Sequence, residues 1–399
     1  MTDLFWPGDG RAVGLMSDEA FLTAMVAVEN AWLRVLVDTG VAPAEAAADL
    51  TKMVSSTDVE AIAAGAECDG NPVIGLVRLL RERTGDSTGR WLHRGLTSQD
   101  VVDSALMLCV QEALFAIRSE ITTQVNTLIE LTHAHRDIPM VARTLTQPAL
   151  PTTVGAKLAT WLSGVLDAAD AVTTLTLPVQ AGGAAGTLAA ITELTGSPNQ
   201  AFAVSAALAA SLGLSSAMPW HTTRSVITRT GDALVGCCDA WGRIANDVAI
   251  GARPEIGELA EGRGGSSSSM PHKNNPVLSV LIRRAALVAP HLGATLHTAS
   301  AAGVDERSDG GWHTEWATLR TLTRRTAVAA AHTTELLAGL TIDTERTALN
   351  LRAAGDLLGE QRTVSELTGR PTRPGYIGCA LQITDAALQR ARQYLKEAT

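Results

Sequence analysis

The amino-acid sequence predicts an all-α protein in which long helices form a central bundle. The chain is 46% hydrophobic but only 4% aromatic, and alanine and leucine dominate its apolar residues. Such a composition favours helices that pack closely through small side chains over a core built from sheets. Apolar residues also recur at spacings of three, four and seven over long stretches with few Gly or Pro residues, which is the periodicity of helices.

The first predicted helix begins after Ser17, which can cap it and is followed by two acidic residues that suit a helix N-terminus. Its apolar positions recur at helical spacing, namely Phe21, Leu22, Met25, Val28, Trp32 and Leu33. Gly40 is placed to end the helix. A less regular stretch with turn signals at 70–72 and 85–89 follows. We therefore expect a smaller N-terminal domain over residues 1–100.

Longer helical segments follow from Asp100. The least interrupted ones cover residues 153–176, 199–213, 222–252, 276–302 and 312–340, which predicts a bundle of about five long helices. Their apolar character exceeds what a lone bundle needs, so we expect burial against other subunits. The bundle defines a central domain at 101–341. A short C-terminal domain at 342–399 carries a Gly/Pro-rich turn at 369–375 before its final helix.

The net charge of −9 argues against nucleic acid as a partner, because binding phosphates needs a basic surface. A local basic pocket for a small anion remains open. The five cysteines show no metal-type spacing and are expected to be reduced core residues of a cytosolic protein. No signal sequence is evident at the N-terminus, and we expect no apolar stretch of the roughly 20 residues that span a bilayer. These features predict a cytoplasmic protein with no membrane partner.

Two polar stretches lie where long helices are expected to begin, and helix ends expose backbone donors that can hold anions. The first, at 93–100, places Thr97 and Ser98 where they can cradle a carboxylate or merely cap a helix. The second, at 142–148, offers Arg143, Thr144 and Gln147 as carboxylate ligands. A polar capping loop is the simpler explanation of that second stretch alone.

Two further polar stretches cover 219–224 and 305–312. His221 follows Trp220, and a lone histidine in such a position is more often structural than catalytic. Arg307 can bind an anion or pair with its acidic neighbours. Taken one at a time, all four stretches are weak signals.

The strongest signal is the loop at 262–276, which contains Gly-Gly-Ser-Ser-Ser-Ser-Met-Pro-His-Lys-Asn-Asn-Pro. Gly and Ser alone would suit a linker, but the Met-Pro-His-Lys-Asn-Asn-Pro that follows them argues against one. A serine can exchange a carbon-bound proton only if a nearby cation and amide donors stabilise its alkoxide. Lys273 can supply that cation, and Lys273 and Asn275 can stabilise a carbanion in its aci-carboxylate form. The role of His272 is open.

Together these motifs resemble the fumarase/aspartase superfamily, whose members share a Gly-Ser-Ser-x-Met-Pro-x-Lys-x-Asn-Pro loop. The resemblance covers nearly the whole chain and is strongest to the 3-carboxy-cis,cis-muconate cycloisomerase branch, with adenylosuccinate lyases next. It rests on the loop and on Gly70-Asn71-Pro72, the stretch 93–100, the glycine-rich 180–187, Pro219-Trp220-His221-Thr222 and Gly310-Gly311-Trp312-x-x-Glu315-Trp316.

The resemblance implies a three-domain helical subunit and a homotetramer around a core of about twenty helices, with each active site built from three subunits. It identifies Ser267 as the catalytic serine, with Lys273 and His93 as the other catalytic residues. Adenylosuccinate lyases also carry the histidine that corresponds to His93. The expected substrate-binding residues are Thr97, Ser98, Arg143, Thr144, Gln147, Ser268, Met270, Asn275 and Arg307. We expect neither a metal nor an organic cofactor, and a small polycarboxylate as substrate.

Departures from the family pattern separate the possible reactions. Fumarases and adenylosuccinate lyases carry a histidine where this chain has Leu145, which cannot transfer a proton to a leaving amine or hydroxide. Lactone closure, as in a cycloisomerase of aromatic-acid catabolism, needs no such group, and neither does expulsion of nitrite from nitrosuccinate. Ser266, Asp305 and the short C-terminal segment also depart from the family pattern.

We therefore predict a cycloisomerase acting on 3-carboxymuconate, with a β-elimination lyase of the nitrosuccinate or adenylosuccinate type as the alternative. A non-catalytic oligomeric scaffold is a third possibility. Retention of the Ser-Lys loop disfavours it.

Overall fold

The computed structural model describes residues 3–270 and 272–398, and it confirms the predicted all-α class. Short 3-10 turns lie at Asp9–Ala12, Ala44–Ala46, Leu50–Lys52 and Ser56–Asp58. The α-helices are α1 (Asp18–Asp38), α2 (Val59–Asp69), α3 (Val73–Arg83), α4 (Asp86–Gly89), α5 (Ser98–Ala134), α6 (Val154–Thr173), α7 (Ala189–Thr195), α8 (Pro198–Leu212), α9 (Ser225–Gly251), α10 (Val277–Ala301), α11 (Gly310–Gly339), α12 (Thr344–Ala353), α13 (Gly359–Thr368) and α14 (Ala380–Ala398). The strands are β1 (Pro139–Thr144), β2 (Gln147–Thr153), β3 (Leu259–Ala260) and β4 (Thr341–Ile342).

Helix α1 forms as its sequence signals predict. The Ser17 hydroxyl accepts the Ala20 N–H at 3.1 Å and so caps the first turn. The apolar positions that repeat at helical spacing are buried, including Met25, Val28 and Trp32. The helix ends at Asp38, and Gly40 then adopts a φ of 71°, a left-handed conformation that glycine reaches without steric cost.

The long predicted helices are present within three residues of their expected bounds. Helices α6, α9, α10 and α11 occupy the predicted segments, and the segment expected at 199–213 is the shorter α8. The longest helix is α5, whose 37 residues begin at Ser98.

The chain divides into two compact units. Unit 1 comprises residues 1–116, 174–232 and 291–325, and unit 2 comprises residues 117–173, 233–290 and 326–399. In unit 1, α1 packs against α8, and α2 packs against α3. In unit 2, α14 packs along α6, where Arg390 contacts Asp167 and Asp170 at 2.7 Å each. The three-domain division stays a prediction.

One element of unit 2 is not apparent from the sequence, an antiparallel hairpin of β1 and β2. Its register pairs Pro139 with Thr153 and Thr144 with Gln147. The two turn residues, Leu145 and Thr146, have φ values of 48° and 70°. A two-residue turn of this kind normally uses Asn or Gly, so a leucine there hides the hairpin from sequence analysis. The sequence suggested only a polar loop before α6.

The expectation that every cysteine is a core residue is wrong for two of the five. Cys68 and Cys379 are exposed, whereas Cys109, Cys237 and Cys238 are buried. Burial raises the pKa of the Cys109 and Cys238 thiols to about 12, which makes these buried thiols poor nucleophiles.

The expectation that no apolar stretch reaches membrane-spanning length is also wrong. Among the described residues, α1 and α10 are long and apolar enough to cross a bilayer, with mean hydropathies of 1.5 and 1.4 over their best windows. This is weak evidence for a membrane span, because buried core helices pass the same test and 61% of the α1 window is buried.

Candidate active site

Hydrogen bonds hold both ends of the serine-rich loop of unit 2 in place. Its ends meet in an antiparallel bridge, in which the Gly265 N–H donates to the Asn275 carbonyl at 2.8 Å and the Asn275 N–H donates back at 3.0 Å. Just before the loop, the buried Glu261 carboxylate accepts the N–H groups of Leu278 and Ser279 at 3.1 and 2.6 Å. A carboxylate suits this position because it satisfies the unpaired donors at the start of α10.

Ser267 lies at the middle of this loop and is half-buried. Its Oγ accepts the backbone N–H of Met270 at 3.2 Å. An N–H aimed at the serine oxygen stabilises negative charge on that atom, as a serine acting as a base requires. Lys273 is exposed and donates its backbone N–H to the Met270 carbonyl at 3.0 Å. Within the described residues its ammonium group has no carboxylate partner. Pro271 of the same motif lies outside the described residues.

The glycines that open the loop leave no room for a side chain. A Cβ on Gly265 would lie 2.1 Å from Val277 Cγ2 and 3.3 Å from Val277 Cβ. Substituting this glycine must therefore move either the loop or the first turn of α10.

We expect Gly265→Ala to lower kcat by up to about a hundredfold, because displacing reacting groups by about 1 Å costs this much. Steady-state kinetics would measure the effect. Gly236→Ala in α9 is the matched control, since a Cβ there meets no atom within 4 Å. Equal activity of the two variants would contradict this account of the loop.

The hairpin of unit 2 carries the second predicted stretch at its tip. Thr144 and Gln147 are exposed on either side of the turn, and Leu145 between them is 97% exposed. Arg143 makes a bidentate pair with the buried Glu258, with N···O distances of 2.9 and 2.7 Å. The structure thus gives Arg143 an internal carboxylate partner, so its predicted contact with substrate stays a prediction.

In unit 1, the first predicted stretch forms the turn before α5. His93 adopts a left-handed backbone with a φ of 61°, and its Nδ1 lies 2.6 Å from Oε1 of Glu29. Burial lowers the pKa of the imidazole, but the charge and hydrogen bond of Glu29 outweigh burial, so the pKa lies above its ordinary value. Glu29 was not predicted from the sequence as a site residue. The signal that could have identified it is an acidic residue among the periodic apolar positions of α1.

Thr97, Ser98 and Arg307 lie in the same unit. The Arg307 Nη1 donates to Thr97 Oγ1 at 2.8 Å, and the Thr97 N–H donates to Asp100 Oδ2 at 2.9 Å. Asp100 therefore satisfies the backbone N–H of the residue that precedes α5, as the acidic member of a capping box does. Ser98 is the first residue of that helix.

The carboxylate of Asp100 is buried and fully engaged. It accepts the N–H groups of Gly182 and Gly183 at 2.9 and 3.0 Å, and it lies 2.8 Å from His221 Nε2. His221 is itself buried, as expected of a structural histidine.

A second buried cluster centres on Arg224. Its guanidinium contacts Asp103 at 2.7 and 3.0 Å and Glu315 at 2.5 Å, and Trp312 Nε1 donates to Asp103 at 3.0 Å. Burial lowers the Arg224 pKa, but the two carboxylates outweigh it and raise the pKa overall. These contacts join the 219–224 stretch to the 310–316 motif through Asp103, so these residues help hold unit 1 together.

The predicted site residues thus form two groups. One group belongs to unit 1: His93, Thr97, Ser98 and Arg307. The other belongs to unit 2: Arg143, Thr144, Gln147, Ser267, Ser268, Met270, Lys273 and Asn275. In the part of the chain that the structure describes, no cluster of His, Cys, Asp or Glu side chains could hold a metal ion.

The helical fold and the Ser-Lys loop define an enzyme of the fumarase/aspartase superfamily, and the chain belongs to it. A family model described as lyase matches residues 14–290.

Several known proteins are similar over most of their length. A nitrosuccinate lyase of Streptomyces davaonensis is 41% identical over 367 residues, covering 88% of this chain and 77% of that protein. A 3-carboxy-cis,cis-muconate cycloisomerase of Bradyrhizobium diazoefficiens is 35% identical, with 95% and 85% covered. The crystal structure of the 3-carboxy-cis,cis-muconate lactonizing enzyme from Pseudomonas putida superimposes with a TM-score of 0.82 at 28% identity, covering 95% of this chain and 96% of that one.

Proposed function

We propose that this enzyme closes 3-carboxy-cis,cis-muconate to its carboxymuconolactone. The observation that carries the proposal over a reaction expelling an amine or hydroxide is the exposed Leu145 at the hairpin tip, a position where fumarases and adenylosuccinate lyases carry a histidine. A ring closure has no leaving group to protonate, so it tolerates leucine there. Similarity to cycloisomerases in sequence and fold supports the same reaction.

In the proposed reaction, a carboxylate oxygen of the substrate attacks the double bond. The carbon–oxygen bond forms, and the π electrons move onto the neighbouring carboxylate as an aci-form. Lys273 and Asn275 stabilise this charge. Ser267 then delivers its proton to the carbanion carbon, and a proton from solvent restores the serine hydroxyl, so the ionised substrate becomes the lactone with uptake of one proton.

The remaining predicted residues hold the substrate. Thr97, Ser98, Thr144 and Gln147 bind the other carboxylates, and His93 serves beside them as the third catalytic group. Ser268, Met270, Arg143 and Arg307 complete the substrate-binding set. We propose that these residues come together in a cytoplasmic homotetramer whose active sites each draw on three subunits.

The second candidate is elimination of nitrite from nitrosuccinate, which the 41% identity to a nitrosuccinate lyase favours. There Ser267 removes a carbon-bound proton, the carbon–nitrogen bond breaks, and its electron pair leaves with nitrite. An adenylosuccinate-type reaction is disfavoured because its leaving amine needs a proton donor.

A direct assay separates these reactions. The purified protein is incubated separately with 3-carboxymuconate, nitrosuccinate and adenylosuccinate, and turnover is followed by loss of diene absorbance, by release of nitrite with fumarate, and by release of AMP with fumarate. The proposal requires kcat/KM to be highest for 3-carboxymuconate. A higher kcat/KM for nitrosuccinate would overturn the proposal in favour of the second candidate. Native mass measurement tests the proposed tetramer.

A further inference from the structure

The carboxylate of Glu29 in α1 is buried in apolar surroundings. Its side chain is 0% exposed, and the same face of the helix buries Met25, Val28 and Trp32. Oε1 lies 2.6 Å from His93 Nδ1, whereas Oε2 is buried and has no hydrogen-bond partner among the described residues. Burying a carboxylate is costly unless a positive charge compensates it, and His93 is the group in contact with it.

The same face of α1 also contacts the turn that carries His93. Trp32, three residues after Glu29, donates its Nε1–H to the Arg94 carbonyl at 2.7 Å. Gly95 adopts a φ of 89°, and a Cβ there would lie 3.3 Å from the Trp32 ring. Trp32 thus contacts the two residues that follow the left-handed His93. Such strain persists in proteins where the surrounding structure imposes it, and it is concentrated at functional sites.

The other ring nitrogen of His93, Nε2, is not used by Glu29. The side chain is 18% exposed, and Nε2 has no hydrogen-bond partner in the part of the chain that the structure describes. With Nδ1–H directed at Glu29, Nε2 is the atom left to meet a ligand. Thr97, four residues later, also belongs to the proposed substrate-binding set.

We propose that Glu29 is a positioning residue that holds His93 as an imidazolium, whose Nε2–H binds a carboxylate of the substrate. This inference rests on the proposed function only in taking the ligand to be a polycarboxylate. A purely structural role does not require a buried charge here, because replacing a buried ion pair by well-packed apolar residues is often neutral or stabilising.

The charged groups facing His93 come from three helices. Glu29 in α1 and Asp100 in α5 favour the imidazolium, whereas Arg81 in α3 and burial oppose it. The balance raises the pKa of His93. The imidazolium is therefore present below this raised pKa and is lost as the pH rises through it, so anion binding through Nε2–H must weaken in the same direction.

The test variant is Glu29→Gln, which keeps an acceptor for Nδ1–H and removes the charge. Glu19→Gln is the matched control, the same change at an exposed position of α1. Histidine side-chain NMR of the free enzyme should place the His93 titration midpoint above the ordinary value of about 6.5 in the wild type and lower in Glu29→Gln. The control should match the wild type.

Binding supplies a second readout, with propane-1,2,3-tricarboxylate as the probe. At pH 7.5 we expect Glu29→Gln to bind it about tenfold to a hundredfold more weakly than the wild type, the loss expected for one charge-assisted hydrogen bond. The difference should narrow as the pH falls, because His93 of the variant then also becomes protonated. A loss that does not change with pH across the titration of His93, or a wild-type His93 midpoint at or below the ordinary value, would overturn the proposal.

A failure of this inference can be distinguished from a failure of the proposed function. The NMR titration and the probe need no turnover, so an enzyme inactive on 3-carboxymuconate still tests the Glu29–His93 pair. If Glu29→Gln does not fold, the wild-type midpoint alone decides the outcome.

Discussion

Replacing Ser267 by alanine is expected to abolish turnover while leaving the protein folded and assembled. The proposed reaction has one proton transfer to carbon, and Ser267 is the group that performs it. Removing such a group lowers kcat by at least about a thousandfold. The side chain is half-buried, and among the described residues its hydroxyl accepts the Met270 N–H and has no other partner, so its loss should cost little stability. The measurement is kcat on the preferred substrate, together with native mass and thermal unfolding.

The chain supplies a close control in Ser269→Ala, which removes an exposed hydroxyl from the same loop. This variant should retain most of the wild-type kcat. Near-normal activity of Ser267→Ala would eliminate the serine mechanism, and equal losses in both variants would indicate damage to the loop instead.

The largest effect on stability is expected for Arg224→Met. This change leaves the carboxylates of Asp103 and Glu315 buried without their cation. Breaking a buried ion pair by removing one partner costs about 3–5 kcal/mol, because the remaining charge is uncompensated. Urea unfolding at matched protein concentration would measure the loss, since the apparent stability of the proposed tetramer would depend on concentration.

Arg243→Met is the comparison, because it removes an arginine that is 59% exposed and paired with Asp247 one helical turn away. Exposed pairs contribute about 0–1 kcal/mol. A stability loss for Arg224→Met no larger than that for Arg243→Met would show that the buried cluster does not stabilise unit 1.

Local patterns account for what could be predicted. The capping serine, the helical spacing of apolar residues and the terminal glycine of α1 act within a few residues of one another, so they are visible in the sequence. The Ser-Lys loop was visible for the same reason, as one continuous motif. Its resemblance to a known family then identified the superfamily.

Two features could not be predicted from the sequence, and each has a physical reason. The hairpin of β1 and β2 turns at Leu145 and Thr146, which lack the Gly or Asn signal of such turns, so their left-handed conformations must be imposed by the paired strands. The contact of Glu29 with His93 could not be predicted because the two residues are 64 positions apart in the sequence, and no local pattern connects them.

The sequence by itself determined the helical class, the bounds of α6, α8, α9, α10 and α11 to within three residues, and the Ser-Lys loop, because each depends on neighbouring residues. The tertiary structure alone decided which motif residues are free to meet a ligand. Asp103, Arg224 and Glu315 are separated by 121 and 91 residues, yet they neutralise one another inside unit 1. A charge can lie in a core only beside its partner, and that partner is chosen by packing rather than by position along the chain.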